Sequence, residues 1–324
     1  MANWAMVADA PGGPEVMDWR ECPMPVPQAG EVLIRHRAIG LNFIDTYFRS
    51  GSYAWPNTPL IPGAEAAGVV EALGAGVTRW QPGDRVAYTQ PIGSYCLFRT
   101  VNADRLVRLP PGVSDAVAAS VLLKGLTVQF LVTSCHAIQP GNVALVHAAA
   151  GGVGTLMGQW LKALGATVIG TVGSEAKAVL AKTQGYDDIV NYRTQNFVAR
   201  VADLTGGRGC DVVYDSVGRD TWLGSLQCLR RRGMAVSFGQ SSGPVADFDL
   251  SQLAVRSLYA TRPVLFDYIS ESTELELRAK ALFDMLEAGR LHVGASREIP
   301  LQEAVDAHRL LESRMTSGST ILLP

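Results

Sequence analysis

Charged residues are scarce in this chain: Asp, Glu, Lys and Arg make up 18% of its 324 residues, against roughly 25% in an average soluble protein. Low charge beside 48% hydrophobic content excludes an intrinsically disordered chain, which needs few apolar residues and many charges. The two signs also cancel. With 28 basic and 30 acidic residues the formal charge is −2, so no overall field draws the chain to nucleic acid or anionic lipid. Cysteine is scarce too. Cys22, Cys96, Cys135, Cys210 and Cys228 are an odd number with no CxxC spacing, which argues against a disulfide framework or a closed zinc site. Five small, buried, reduced thiols fit a cytoplasmic protein. Long apolar runs are missing. Ala116–Leu123, the most apolar, is 8 residues long and contains a serine, too short to span a bilayer, so no membrane partner is expected. The start, MANWAMVADAPGG, has neither a basic region nor an apolar core, and no secretory signal is expected from it.

Glycine is plentiful by contrast, at 33 of 324 residues, about 10% against a usual ~7%. It has no fixed period, which excludes a collagen-like repeat, and no internal repeat or low-complexity segment is present. The length favours two domains. Residues 1–120 read as β-rich. Val32, Ile34 and His36 alternate with Leu33, Arg35 and Arg37 before Gly40 interrupts the pattern, and further strands are expected at Ala66–Leu73, Arg85–Tyr88 and Tyr95–Val101. Dense Pro/Gly punctuation between them suggests a small barrel or sandwich.

From about Val121 the rhythm changes. Short β-branched or apolar runs at Val143–His147, Thr167–Val172, Ile189–Tyr192, Val212–Tyr214, Met234–Phe238 and Leu258–Thr261 alternate with helical stretches at Gly154–Leu164, Ala176–Lys182, Phe197–Leu204 and Thr221–Leu229. Alternating strands and helices build a parallel sheet with right-handed crossovers. Six such strands make a doubly wound α/β dinucleotide-binding fold. Amphipathic helices at Thr273–Ala288 and Leu301–Ser313 and a strand at Thr320–Leu323 follow. The expected organisation is a β-rich domain of residues 1–122 plus 263–324, with a Rossmann domain of residues 123–262 inserted into it.

The central motif is Val146-His147-Ala148-Ala149-Ala150-Gly151-Gly152-Val153-Gly154, between a strand and a helix, the context a phosphate-binding turn requires. Free N–H groups and the positive end of the helix dipole suit a pyrophosphate there. The motif departs from strict GxGxxG, because Ala149 stands where the first glycine would be. A carboxylate about 20 residues on would hold the ribose 2′-OH of NAD. Nineteen residues past Gly154 stand Gly173, then Ser174 and, just beyond, Lys177. Lys177 would attract a 2′-phosphate, so NADPH is favoured over NADH. Tyr192, at the end of the next strand, is placed to cover the adenine or to donate to that phosphate. The plainer alternatives are a solvated helix lysine and a half-buried aromatic.

Gly40-Leu-Asn42-Phe-Ile-Asp45, Pro62-Gly63-Ala64-Glu65-Ala-Ala-Gly68, Gly83-Asp84-Arg85-Val86, the glycine loop and Asp215-Ser-Val-Gly218 together resemble the zinc-independent medium-chain dehydrogenases/reductases. More narrowly, the chain is similar to the NADPH:quinone oxidoreductase branch that includes zeta-crystallin. Leu123-Lys-Gly-Leu-Thr127, Ser237-Phe-Gly-Gln-Ser241 and Glu312-Ser-Arg314 extend the likeness over nearly the whole chain. The resemblance implies a GroES-like catalytic domain around the Rossmann domain. It places Asn42, Lys124 and Thr127 near the nicotinamide, and Ser216, Phe238, Gly239, Ser241, Pro263, Leu265 and Arg314 along the rest of the cofactor groove. The family's zinc-dependent alcohol dehydrogenases hold their metal with a cysteine in the first motif and a histidine in the second. Here Asn42-Phe-Ile-Asp45 lacks that cysteine, and Ala64 replaces the histidine. One remaining carboxylate, Glu65, does not make a zinc site, so no metal is expected.

The reaction implied is hydride transfer from NADPH to a quinone, with an enone or other conjugated alkene as the alternative acceptor. Such chemistry needs orientation and a dry slot more than an acid–base pair. None is evident: His36, His136, His147, His292 and His308 are scattered. Asn42, Tyr47 and Tyr53 are the candidate donors to the acceptor's developing oxyanion, with Asp45 as an orienting neighbour. A lens-structural or RNA-binding role, known among zeta-crystallin relatives, is disfavoured by the balanced charge. Arg230-Arg231-Arg232 reads as a solvated helix-end patch. The family also implies a homodimer, through the apolar strand near Leu258–Leu265.

Overall fold

The computed structural model describes residues 2–246, 248–313 and 318–324. The chain forms two compact units. The first comprises Met1–Leu126, Ile269–Glu287 and Val293–Pro324, and the second Thr127–Tyr268 with Ala288–His292.

The second unit is built on a six-stranded sheet in which every neighbouring pair is parallel. Its order across the sheet is Asp188–Asn191, Thr167–Val172, Val143–Val146, Cys210–Asp215, Leu229–Ser237 and Tyr259–Thr261. Numbered along this unit, that order is 3-2-1-4-5-6, the doubly wound arrangement the alternating pattern predicts. Leu145, Ile169, Val190, Val213 and Ala235 from five strands pack with Val201, Trp222 and Leu226 from the helices. The predicted elements fall within a few residues of the observed ones. Arg230–Arg232 is the exception. The preceding helix ends at Gln227, and the three arginines ride on the first residues of strand Leu229–Ser237. Arg232 is in the left-handed region at φ 57°, beside a register shift between Cys210 and Val212, and Arg230 is anchored on buried Asp211.

The first unit carries a two-stranded antiparallel pair, Asn3–Ala8 with Met17–Cys22, and a seven-stranded mixed sheet. The sheet centres on the 11-residue strand Glu31–Leu41, which pairs with Glu65–Leu73, Phe98–Asn102 and Thr320–Leu323. Three partners are accommodated because Phe98–Asn102 takes residues 31–35 and Thr320–Leu323 residues 39–41 of one edge, while Glu65–Leu73 runs along the other with register shifts at Leu33/Ile34 and His36/Ala38. Val32, Ile34, Ile39, Val70, Val86 and Tyr88 are among its core residues. His36 is structural. Its Nδ1 lies 2.7 Å from the Cys96 carbonyl and its Nε2 2.9 Å from the Tyr88 hydroxyl, and burial pushes its pKa down to about 4.

Two expectations about extent need correction. The strand does not stop at Gly40, which pairs with Glu65 on one side and Ile321 on the other. Glycine is required there by crowding: a Cβ would lie 2.3 Å from the Ala119 carbonyl oxygen and 2.3 Å from the Glu65 carboxylate. Nor does the apolar stretch beginning at Ala116 end at Leu123. Helix Asp115–Phe130 continues as a π-turn to Cys135, and this segment of 21 residues is long and apolar enough to cross a membrane by length and composition. It is 72% buried within the protein, as a core helix is. Lys124 does not break the helix, because Glu65 neutralises its charge in the fold.

Gly40→Ala should destabilise the protein by about 1–3 kcal/mol, the usual cost of overpacking, because the atoms it meets are a backbone carbonyl and a fixed carboxylate. Thermal unfolding reads this as a lowered Tm, and an unchanged Tm would mean the strand yields at this point.

Candidate active site

The glycine turn and the elements around it belong to the second unit. Helix Gly152–Ala163 begins after Gly151, and its first intrahelical bond is donated by the Thr155 amide to the Gly151 carbonyl at 2.9 Å. The N–H groups of Gly152, Val153 and Gly154 therefore stand at the open helix start. A Cβ on Gly154 would come within 2.3 Å of the Ala148 carbonyl, so glycine is what lets this helix lie against the strand-end turn. The tyrosine hydroxyl of Tyr186 donates to the Gly154 carbonyl at 2.7 Å, fixing the turn from behind. The missing first glycine is explained by the backbone. The left-handed residue is Ala148, at φ 55°, while Ala149 sits in ordinary conformation with its amide on the Thr171 carbonyl at 3.0 Å.

Gly173, Ser174, Lys177 and Tyr192 come together at the end of the neighbouring strand. The hydroxyl of half-exposed Tyr192 lies 2.5 Å from where a Gly173 Cβ would be, so the bare glycine leaves the ring room over that backbone. Ser174 caps helix Glu175–Lys182, its oxygen accepting from the Lys177 amide at 3.3 Å. This leaves the hydroxyl proton available to a ligand. Lys177 is a cation in the first turn of a helix, where the dipole favours an anion, and partial burial lowers its pKa. Glu175, the nearest carboxylate in sequence, is occupied by the Asn191 amide at 2.7 Å. A phosphate fits this cluster better than a ribose hydroxyl.

The loops after the fourth and fifth strands of this unit are laced to each other. A Cβ on Gly239 would meet the Ser216 oxygen at 2.7 Å, the Ser241 amide donates to that oxygen at 3.2 Å, and the Phe238 amide donates to the Asp215 carbonyl at 2.9 Å. Pro263 is half-buried past the edge strand, and Leu265 is buried at the start of helix Leu265–Tyr268. Arg314 lies outside the described residues. Beneath these loops runs a network the sequence did not reveal. Asp215, fully buried, accepts from the amides of Val217 and Gly218 at 2.8 and 3.0 Å and from the hydroxyls of Thr221 and Ser225, each at 2.8 Å to Oδ2. Ser225 accepts in turn from His147 Nε2–H at 3.0 Å, and His147 Nδ1 accepts from the Thr171 hydroxyl at 2.9 Å. Burial lowers the His147 pKa, in keeping with a neutral ring. Asp215 was visible in its Asp-Ser-Val-Gly motif; its partners, far away in sequence, carried no signal.

In the first unit, Asn42 precedes helix Phe43–Arg49 and is buried. Its Nδ2 donates to Glu65 Oε1 at 2.8 Å. Lys124 Nζ reaches the same oxygen at 3.0 Å, and the Leu123 amide donates to Oε2 at 2.7 Å. Lys124 is thus mid-helix and paired. Thr127, one turn further along the same helix, is buried and is the first residue of the second unit. The Asn42 backbone amide donates to Asp45 Oδ2 at 2.8 Å, and the Tyr95 hydroxyl donates to the same atom at 3.0 Å. Tyr95 accepts from His308 Nε2–H, also at 3.0 Å. Burial pushes the Asp45 carboxyl up to about 7 and the His308 imidazole down to about 3. Tyr47 and Tyr53 meet at a tilt of 59° with ring centroids 5.3 Å apart, and Tyr53 also meets Phe48 edge-on. Both tyrosines are half-buried.

Around Glu65 the donor set for a catalytic metal is limited to that one carboxylate. Among the described residues no group of three or more His, Cys, Asp or Glu is placed to hold one, and both Glu65 oxygens already accept hydrogen bonds.

A parallel dinucleotide fold inserted between the halves of a GroES-type β unit defines a medium-chain dehydrogenase/reductase. Comparison with known proteins agrees. Residues 28–133 match the alcohol dehydrogenase GroES-like domain, and residues 152–278 match the zinc-binding dehydrogenase family. The chain is 48% identical to a quinone oxidoreductase of Pseudomonas aeruginosa over 97% of both chains. It is 44% identical to a 2-haloacrylate reductase of a Burkholderia species, over 99% of this chain and 98% of the other. A crystal structure of the Escherichia coli quinone oxidoreductase complexed with NADPH superposes with a TM-score of 0.96, at 44% identity, covering 99% of this chain and all of that one. The chain belongs to the quinone oxidoreductase family of the medium-chain dehydrogenases/reductases.

Two outcomes test this geometry. Lys177→Ala should weaken NADPH by about 1.5–3 kcal/mol, the worth of a hydrogen bond to a charged group, and leave NADH nearly unchanged; equal losses, measured as kcat/KM for the two cofactors, would remove Lys177 from the phosphate site. The second concerns Asp45. A carboxyl raised from 3.8 to about 7 on folding favours the folded state while protonated, and that share of stability is lost as pH rises through 7. His308, depressed from 6.5 to about 3, works in the opposite sense below 6.5. Asp45→Asn should therefore gain stability relative to the parent between pH 5 and pH 8, measured by calorimetric Tm at both.

Proposed function

We propose that this protein is an NADPH-dependent quinone oxidoreductase that works without a metal. The observation that carries the reading is the cluster of Ser174, Lys177 and Tyr192 at the strand end where an NAD-specific site would hold a carboxylate. Its support is the NADPH-bound relative, similar over the full chain. Bound NADPH supplies the hydride, from nicotinamide C4.

The chain's own residues bind and orient. The N–H groups of Gly152, Val153 and Gly154, after Gly151, receive the pyrophosphate. Gly173, Ser174, Lys177 and Tyr192 take the adenosine phosphate end. Ser216, Phe238, Gly239, Ser241, Pro263 and Leu265 line the groove, with Arg314 assigned there from its motif alone. Asn42, Lys124 and Thr127 serve the nicotinamide end. Glu65 uses one Asn42 Nδ2 hydrogen, which leaves the other to donate to an acceptor oxygen. Tyr47 and Tyr53 are the further donors, and their paired rings offer a planar acceptor a stacking surface. A quinone reduced in this way takes its proton from solvent.

Reduction of a conjugated alkene is a second reading, favoured by the likeness to 2-haloacrylate reductase. The proposal includes cytoplasmic residence, in keeping with five free cysteines, and no nucleic-acid or membrane partner. It also includes a homodimer paired through strand Tyr259–Thr261, an edge of its sheet with Tyr259 and Val264 exposed nearby.

NADPH oxidation measured against 1,4-quinones, enones and 2-haloacrylates side by side decides between the readings: the higher kcat/KM belongs to quinones if the first holds. Asn42→Ala and Tyr53→Phe should each lower quinone kcat/KM roughly two- to tenfold, the loss of about 0.5–1.5 kcal/mol per neutral hydrogen bond. Unchanged values in both variants would remove this segment from the acceptor site.

A further inference from the structure

The opposite end of the same parallel sheet holds a feature the oxidoreductase reaction does not use. Gly207, Arg208, Arg230, Arg231 and Arg256 line an open surface cavity of about 430 Å³. No acidic side chain is among its lining residues. These residues all precede or begin strands: Arg208 stands before Cys210–Asp215, Arg230 and Arg231 open Leu229–Ser237, and Arg256 comes just before Tyr259–Thr261. The cofactor turns lie at the carboxyl ends of those strands, roughly 17–20 Å away along a strand of this length. NADPH therefore does not reach the cavity.

Three of the four guanidinium groups are held in place. Asp211, only 2% exposed, accepts from Arg208 at 2.9 Å and from Arg230 Nε, and its other oxygen accepts from the Val143 amide at 2.8 Å. One fixed carboxylate thus holds two cations side by side while neutralising one. Arg230 also donates to the Arg231 carbonyl at 2.6 Å. Arg256 donates to the carbonyls of Leu229 at 2.6 Å and Gln227 at 3.2 Å, and its own carbonyl accepts from the Arg232 amide at 2.9 Å. Arg231 is exposed at the rim.

The loop closing the cavity is Thr205-Gly206-Gly207-Arg208-Gly209, whose three glycines have φ of 57°, 77° and 84°. Around Gly206 and Gly207 nothing lies within 4 Å of an added Cβ. Crowding does not explain glycine at those two positions; left-handed backbone left bare to solvent does, and bare backbone permits close approach of a ligand. Like charges held in register repel unless an anion lies between them. The guanidinium fork matches phosphate oxygens two at a time.

We propose that this cavity is a second anion site, which takes a small condensed phosphate with several anionic oxygens. Four arginines against one carboxylate leave a surplus of about three positive charges, which suits a polyanion such as inorganic tripolyphosphate.

The test is calorimetric titration of the NADPH-saturated protein with sodium tripolyphosphate at low ionic strength, the saturation removing the cofactor cradle as a competing site. Saturable binding at one site per chain is expected. Arg231→Glu, at an exposed position, should weaken it at least tenfold, Arg231→Lys should restore most of the loss, and neither should alter the kinetics of NADPH oxidation. Absence of binding at millimolar tripolyphosphate, or affinity unmoved by Arg231→Glu, would overturn the proposal. A 20-nucleotide single-stranded RNA that binds with a steep salt dependence and is not displaced by tripolyphosphate would also overturn it, in favour of a nucleic-acid surface.

Discussion

The carboxylate of Glu65 is the point on which the first unit's functional geometry turns. It is fully buried, so its charge is tolerable only when its oxygens are satisfied. The satisfying groups are a side-chain amide from the Asn42 turn, an ammonium from Lys124 and the backbone amide of Leu123. These come from segments 23 to 59 residues away in sequence. Neutralising that one charge fixes Asn42 and lets a lysine sit inside an apolar helix. Gly40 is its counterpart in shape, since the carboxylate occupies the space a side chain there would fill. In the zinc enzymes of the superfamily this neighbourhood holds a metal; here hydrogen bonds within the chain take up the charge.

Asp215 plays the matching part in the second unit. It is fully buried and satisfied by two amides and two hydroxyls. What it orders is the turn carrying Ser216, and through the close approach of Gly239 the neighbouring loop as well. Neither carboxylate needs to touch a reacting atom. Both determine where other groups stand, which is what hydride transfer asks of a protein when the cofactor carries the chemistry.

Much of this was legible in the sequence, for identifiable reasons. Strands such as Thr167–Val172 are buried on both faces and therefore read as continuous β-branched runs, and the glycine loop announces itself between a strand and a helix. The extent of elements was harder to read where a residue's type conflicts with its surroundings. Lys124 looks like the end of an apolar run until its partner is known, and Gly40 looks like a strand break until the crowding around it is seen. Arg230–Arg232 looks like the solvated end of a helix, because nothing local signals that Asp211 will hold it on a strand. The buried networks were invisible for a simpler reason. His147 finds its partners 24 and 78 residues away, and no local pattern records such a meeting.

The pairing of Glu31–Leu41 with Thr320–Leu323 bears on how the chain comes off the ribosome. The central strand of the first unit emerges early, yet one of its neighbours, Thr320–Leu323, is made only after the strands of the second unit. All six strands of the second unit are finished well before that, and their neighbours in the sheet lie within the same stretch of sequence. Vectorial synthesis therefore permits the nucleotide-binding unit to fold while the first unit still waits with an open sheet edge. Long-range pairing of this kind is slow and leaves unpaired strand exposed in the interval. Until Thr320–Leu323 arrives, part of one edge of Glu31–Leu41 is open to pairing with another chain.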